Sequence, residues 1–280
     1  MKHISHLIIY IVATLSSLRV FAIEPENGTA TTYLDLVQKA DDAIKDSHWL
    51  DAEEYIVSAM RAEPANPGNI LLMSNLGMVR FNAGKDSLAL QTLNDAHIIA
   101  PISVTVLQNR ARVLLSMNKV NEAYQDFSTV LNLDSTLTET RFYRSMLSLE
   151  LGFDSICTND IEYLEHNAPK NRFTNLAAAT YHRLTNNYTK AIPYLSRLIE
   201  TEKHAEHYAA RAMCEMMTGD LNSAAIDIAE AISLDPSDGD LYLQRAILHK
   251  MRFRPNDANA DGQRAIELGV PSDKVRSILK

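Results

Sequence analysis

One small residue returns along this chain at an almost fixed interval. An A-x-x-x-[large apolar]-x-x-[apolar] signature places it at Ala52, Ala89, Ala123, Cys157, Ala191, Ala224 and Ala258, with gaps of 37, 34, 34, 34, 33 and 34 residues. Twelve residues before each stands another small residue: Ala40, Gly77, Ala111, Ser145, Ala179, Ala212 and Ala246. Self-similarity at this period predicts stacked helix–turn–helix units, each burying its apolar face only against its neighbours, and not a domain with one central core.

The metre has a physical reading within each unit. Two helices of about 14 residues are too short to be stable alone in water, so they must pack as a hairpin. Small side chains let the two helices cross closely, and large apolar residues four positions on fill the gap: Ile56, Leu93, Phe127, Ile161, Leu195 and Ile228. Gly262 takes that place in the last unit, as an atypical terminal repeat would. Between the helices stands a residue suited to the left-handed conformation that ends a helix: Gly84, Asn118, Gly152, Asn186 or Gly219. Pro64, Pro101, Pro169 and Pro236 predict the ends of second helices. Such punctuation at every half-unit excludes a continuous heptad coiled coil.

These residues resemble the tetratricopeptide repeat (TPR) family, in a form similar to exported bacterial members. The fullest copy runs Ala205 to Asp238, with Tyr208, Ala212, Gly219-Asp220, Ala224, Ala231-Ile232 and Leu234-Asp235-Pro236 on the family pattern. The resemblance implies an all-α, right-handed TPR α-solenoid of about seven repeats, at 33–69, 70–103, 104–137, 138–171, 172–204, 205–238 and 239–272. A short capping helix is expected at 273–280, with Ser272 as its N-cap and Lys274, Arg276 and Lys280 facing water. The fifth copy has Lys203 in place of the closing proline, and extra residues around Pro64-Ala65-Asn66-Pro67 separate the first two.

The N-terminus reads differently. A basic start at Met1-Lys2-His3, an apolar stretch from Leu7 to Leu18, and Val20-Phe21-Ala22 predict a secretory signal peptide over 1–22, followed by a linker over 23–32. The apolar run is short of the roughly 20 residues that span a bilayer, which leaves an uncleaved anchor as the alternative. The expected location is outside the cytoplasm, a bacterial periplasm first and secretion second. The whole chain has a net charge of −8. Loss of Lys2 and Arg19 with the leader would make it more acidic still, which disfavours nucleic acid and anionic membranes as partners. Cys157 and Cys214 lie 57 residues apart in different repeats and read as buried thiols, not a disulfide.

Charge placement follows the repeat. The seventh position carries Arg110, Arg144, Arg211 and Arg245, and the twenty-third carries Asp126, Asp160, Asp227 and Asp261 in the same four repeats. In an antiparallel hairpin these positions face each other, so the spacing predicts an interhelical, bidentate Arg–Asp pair in each. They are frame residues.

By resemblance to the family, the concave wall is lined by positions 2, 5, 6, 9, 12 and 13 of each first helix. Repeats two and three present Ser74, Asn75, Met78, Gln108, Asn109 and Arg112 there. Repeats four to seven present Phe142, Tyr143, Met146, Leu149, Leu176, Met213, Met216, Met217, Leu243, Ile247 and Met251. Methionine-rich surfaces accept varied apolar partners, and an exposed apolar stripe marks an interaction site. The other reading of the same side chains is packing between adjacent first helices. The expected function is a non-enzymatic scaffold that captures a peptide or helix of a partner protein. Its alternatives are an assembly accessory using the convex face or the ends, and a carbohydrate-handling envelope protein with Phe142, Tyr143, Phe173 and Tyr208 as platforms. No cofactor is expected. His204-Ala205-Glu206-His207 and Met213-Cys214-Glu215-Met216-Met217 contain metal-binding residue types, but one lacks the HExxH order and the other faces two ways on a helix, so no metal is expected.

Overall fold

In the computed structural model, residues 30–280 are described; the leader and most of the linker read at 1–29 lie outside them. Fifteen helices and no strands make up the described residues. They are α1 (Ala30–Lys45), α2 (Trp49–Ala62), α3 (Asn69–Asn82), α4 (Asp86–Ile99), α5 (Val104–Ser116), α6 (Val120–Leu133), α7 (Thr138–Leu151), α8 (Asp154–Asn167), α9 (Arg172–Leu184), α10 (Tyr188–Thr201), α11 (Ala205–Thr218), α12 (Leu221–Leu234), α13 (Gly239–Met251), α14 (Pro255–Glu267) and α15 (Ser272–Leu279). Two compact units divide within α8, one ending at Asp160 and the other beginning at Ile161. In the first, α1 packs on α2, α3 on α4 and α5 on α6; in the second, α9 packs on α10, α11 on α12 and α13 on α14.

The small-residue metre places the hairpin seams. Ala52, Ala89, Ala123, Cys157, Ala191 and Ala224 are fully buried, and Ala258 nearly so. Ile56, Leu93, Phe127, Ile161, Leu195 and Ile228 fill the space beside them, and each such burial contributes about 1.5–3 kcal/mol. Gly77 shows why the partner position must be small. A Cβ there would stand 2.5 Å from Leu93 Cγ, inside any permissible contact.

All seven hairpins turn through one residue with positive φ: Ser47 (59°), Gly84 (74°), Asn118 (58°), Gly152 (76°), Asn186 (60°), Gly219 (89°) and Phe253 (57°). Five of these are the predicted turn residues. Ser47 and Phe253 are residue types that disfavour this region, and packing of the flanking helices holds them there against preference. Each predicted stop proline stands two residues past its helix: Pro64 after Ala62, Pro101 after Ile99, Pro169 after Asn167 and Pro236 after Leu234. The insertion after α2 is itself organised. Asn66 Oδ1 accepts from the Gly68 amide at 2.8 Å, and Asn69 Nδ2 donates to the Glu63 carbonyl at 2.8 Å.

The two ends differ from expectation by small amounts. Helix α1 begins at Ala30, inside the linker read at 23–32. Helix α15 begins at Ser272, and its N-cap is Pro271, which offers no side-chain bond; Ser272 is therefore the first helical residue and not the cap. Lys274, Arg276 and Lys280 are exposed. The gap at Gly262 is filled by α15 itself, since a Cβ there would meet Leu279 Cδ1 at 2.6 Å and Val275 Cγ1 at 3.1 Å.

Candidate interaction surface

The hairpin seams hold the first helices that present the candidate surface. Arg110 donates from Nε to Asp126 Oδ2 at 2.8 Å and from Nη2 to Oδ1 at 2.6 Å. Arg144 repeats this on Asp160 at 2.8 and 2.6 Å, Arg211 on Asp227 at 2.6 and 2.8 Å, and Arg245 on Asp261 at 2.8 and 2.7 Å. The four aspartates are buried, so each pair is a two-point clamp across its hairpin. In repeat four, Arg141 Nη1 also donates to Asp160 at 2.6 Å.

Four of the polar residues read as groove lining in repeats two and three are bonded to neighbouring first helices. Asn109 Nδ2 donates to Ser74 Oγ at 2.9 Å, joining α5 to α3. Gln108 Nε2 donates to Thr140 Oγ1 at 2.6 Å, and Arg112 pairs with Glu139, both joining α5 to α7. Ser74 is fully buried, whereas Asn75 and Met78 are half-buried. Asn109 thus spends one amide N–H on Ser74, a bond between neighbouring first helices.

Much of the expected apolar stripe is interior. Phe142, Tyr143 and Met146 are at most 2% exposed, and the Tyr143 ring stacks on Phe127 at 5.1 Å. Leu149 is half-buried. In the second unit Leu176, Met216 and Leu243 are buried, Met216 among Ala212, Ala224 and Ile228, and Leu243 beside Val275 of the capping helix. The correction has a simple cause. A stripe on one helix is not yet a surface, because packed neighbours cover residues at its fifth, sixth, ninth and twelfth positions in one repeat or another. What remains presented is Met213 (44% exposed), Met217 (55%) and Met251 (39%), with Ile247 half-buried. Leu184 and Phe253 are also exposed and were not selected from the sequence. Leu184 was within reach, since it occupies the same thirteenth position as Met217 and Met251.

The aromatic platforms of the carbohydrate reading are not surface features either: Phe142, Tyr143 and Tyr208 are buried and Phe173 is half-buried. Cys157 and Cys214 are free, buried thiols, pushed up to about 12 and about 11 by burial. Burial, and next the Asp227 carboxylate, push Glu215 up to about 7. No group of three His, Cys, Asp or Glu is placed to hold a metal among the described residues, and no helix among them is long and apolar enough to cross a membrane.

Solved structures share this arrangement. A tetratricopeptide repeat protein from Parabacteroides merdae superposes with a TM-score of 0.67 at 25% identity, over 89% of this chain and 98% of that one. The chain has the tetratricopeptide-repeat fold. PilF of Pseudomonas aeruginosa matches with a TM-score of 0.64 at 16% identity, covering 75% of this chain and 95% of its own. PilW, a type IV pilus biogenesis factor, matches with a TM-score of 0.63 at 16% identity, covering 73% and 94%. At these identities PilF and PilW inform on the TPR fold alone. No family model matches the sequence, and no curated protein matches it.

Proposed function

We propose that this TPR chain is a non-enzymatic scaffold of the cell envelope that captures a segment of a partner protein on the first helices of its later repeats. One observation carries the reading: Met213 and Met217 on α11 and Met251 on α13 are 44%, 55% and 39% exposed. Thioether side chains in the open cost apolar exposure and adapt to varied partners. The P. merdae neighbour, 25% identical across nearly its whole length, supports the fold on which the reading rests. The pilus role named for PilW stays with PilW. The N-terminal sequence supports export, with cleavage after Ala22.

The test is photo-crosslinking in the native cell from probes placed at 213 and 217, with a probe at 226 as control, since Ile226 is 72% exposed on the second helix of the same hairpin. Discrete protein adducts are expected from a probe at 213, lost in Met217→Asp/Met251→Asp, and from a probe at 217, lost in Met213→Asp/Met251→Asp. Adducts only from 226 would move the working surface to the second helices and refute this reading. A mature N-terminus other than Ile23 would refute the predicted cleavage.

A further inference from the structure

The hairpin turns change character between repeats four and five. The thirteenth position, at the end of each first helix, carries Lys45, Asn82, Ser116 and Glu150 in repeats one to four, then Leu184, Met217 and Met251 in repeats five to seven. The last three are 46%, 55% and 39% exposed. Charge changes with it. Counted from the twelfth to the nineteenth position, the first four turns hold three basic and six acidic residues. The last three hold five basic residues (Arg183, Lys190, Lys250, Arg252, Arg254) against Asp220 and Asp257. The turns of repeats one to four are net −3 and those of repeats five to seven net +3, within a chain of net −8.

Phe253 marks the same place by a separate observation. It occupies the left-handed turn position that five other hairpins give to glycine or asparagine, at φ 57°, and it is 93% exposed. A phenylalanine there is strained and gains nothing from burial, so the fold alone gives no reason for it. The turn is nevertheless held in place: Arg252 Nη2 donates to the Leu221 carbonyl at 2.5 Å and to Asn222 Oδ1 at 3.0 Å, tying it to the start of α12. Asp220, the acid of the sixth turn, is occupied as an N-cap by Ser223.

We propose that the turn edge of repeats five to seven docks an acidic partner segment bearing a row of aliphatic or aromatic anchors. Leu184, Met217, Met251 and Phe253 receive the anchors, and Arg183 and Arg254 face the carboxylates. Opposite charge selects the segment and steers its approach, while the apolar row sets how long it stays. This rests on the scaffold reading above and names the chemistry of its ligand.

The test is selection of a displayed library of short random peptides on the full chain, followed by fluorescence polarisation of the enriched peptides. Enriched sequences are expected to combine Asp or Glu with at least two large apolar residues. Phe253→Gly should weaken their binding by roughly tenfold or more, the effect of losing a buried aromatic anchor. Its melting temperature should not fall, since glycine meets the left-handed turn without strain. Arg183→Glu/Arg254→Glu should weaken binding as much, and added salt should weaken it progressively. Enrichment of basic or uncharged peptides, no enrichment, or acidic peptides held equally by Phe253→Gly would overturn the proposal. Dimerisation of the wild type that Phe253→Gly abolishes would overturn it in favour of a second copy. If adducts from 213 and 217 persist in any of these cases, the scaffold reading stands and the ridge alone falls.

Discussion

Asp160→Ala should be the most damaging single change at any hairpin seam. The Asp160 carboxylate is 1% exposed and accepts three hydrogen bonds, from Arg141 Nη1 and from Arg144 Nε and Nη2. Its removal leaves two guanidinium groups facing each other, with side chains 9% and 18% exposed. Arg141 keeps the bond from its Nη2 to the Ser135 carbonyl at 2.7 Å; the uncompensated charge left at the seam costs about 3–5 kcal/mol, and two like charges brought face to face put the change at the upper end. The reverse deletion is milder. Arg144→Ala leaves Asp160 paired with Arg141, so only charged hydrogen bonds are lost, about 1.5–3 kcal/mol. Repeat three has no such second arginine at its seam pair, so Arg110→Ala strands Asp126, which is 5% exposed, and should cost about 3–5 kcal/mol. Arg141→Met/Arg144→Met/Asp160→Leu, which removes all three charges of the cluster and approximately keeps the volume, should recover most of the loss. Urea denaturation followed by far-ultraviolet circular dichroism measures all four, and hydrogen exchange reports the order locally, in α5 and α6 for Arg110→Ala and in α7 and α8 for the others, as a repeat array need not unfold in one step. Arg144→Ala as costly as Arg110→Ala would refute the reserve role of Arg141. Asp160→Ala costing under about 1 kcal/mol would refute the buried-clamp reading altogether.

Three further outcomes are expected. Gly262→Leu should unseat α15, because the new side chain claims the space of Leu279 and Val275; the loss of about 1–3 kcal/mol should come with early proteolysis or fast exchange confined to α15. Stability should fall as pH rises from about 4.5 towards 7, because folded Glu215 keeps a proton that the unfolded chain has released across that window. The fall should be on the order of 1–3 kcal/mol, flat beyond it and absent in Glu215→Gln, as read by chemical denaturation at each pH. Cys157 and Cys214 should resist iodoacetamide in the native chain and react on unfolding, since burial raises both thiols and closes access to them.

The frame was legible in the sequence because each of its parts is a local requirement repeated seven times. A seam needs Ala52 or Ala224 small, a turn accepts Gly84 or Asn186 easily, and Pro64 cannot continue a helix. The Arg–Asp spacing could be read for the same reason: positions seven and twenty-three meet inside a single hairpin. The surface was less legible. Whether Met146 or Met213 faces solvent depends on which neighbouring helix lies over it, although both hold the ninth position of their repeats. Helical periodicity carries no information about that neighbour. Ser47 and Phe253 were opaque for a different reason, since helix packing imposes their geometry against residue preference.

Gly262 bears on how such an array could change in length. An inner repeat carries a bulky wedge at this place, aimed at whatever follows; the final repeat has a notch, already occupied by the chain's own tail. A further module appended after Val270 would meet a hollow where its predecessor should supply a ridge. A duplicated inner repeat placed upstream of repeat seven would leave this notch undisturbed, whereas one placed between Val270 and Ser272 would part Gly262 from the helix that fills it.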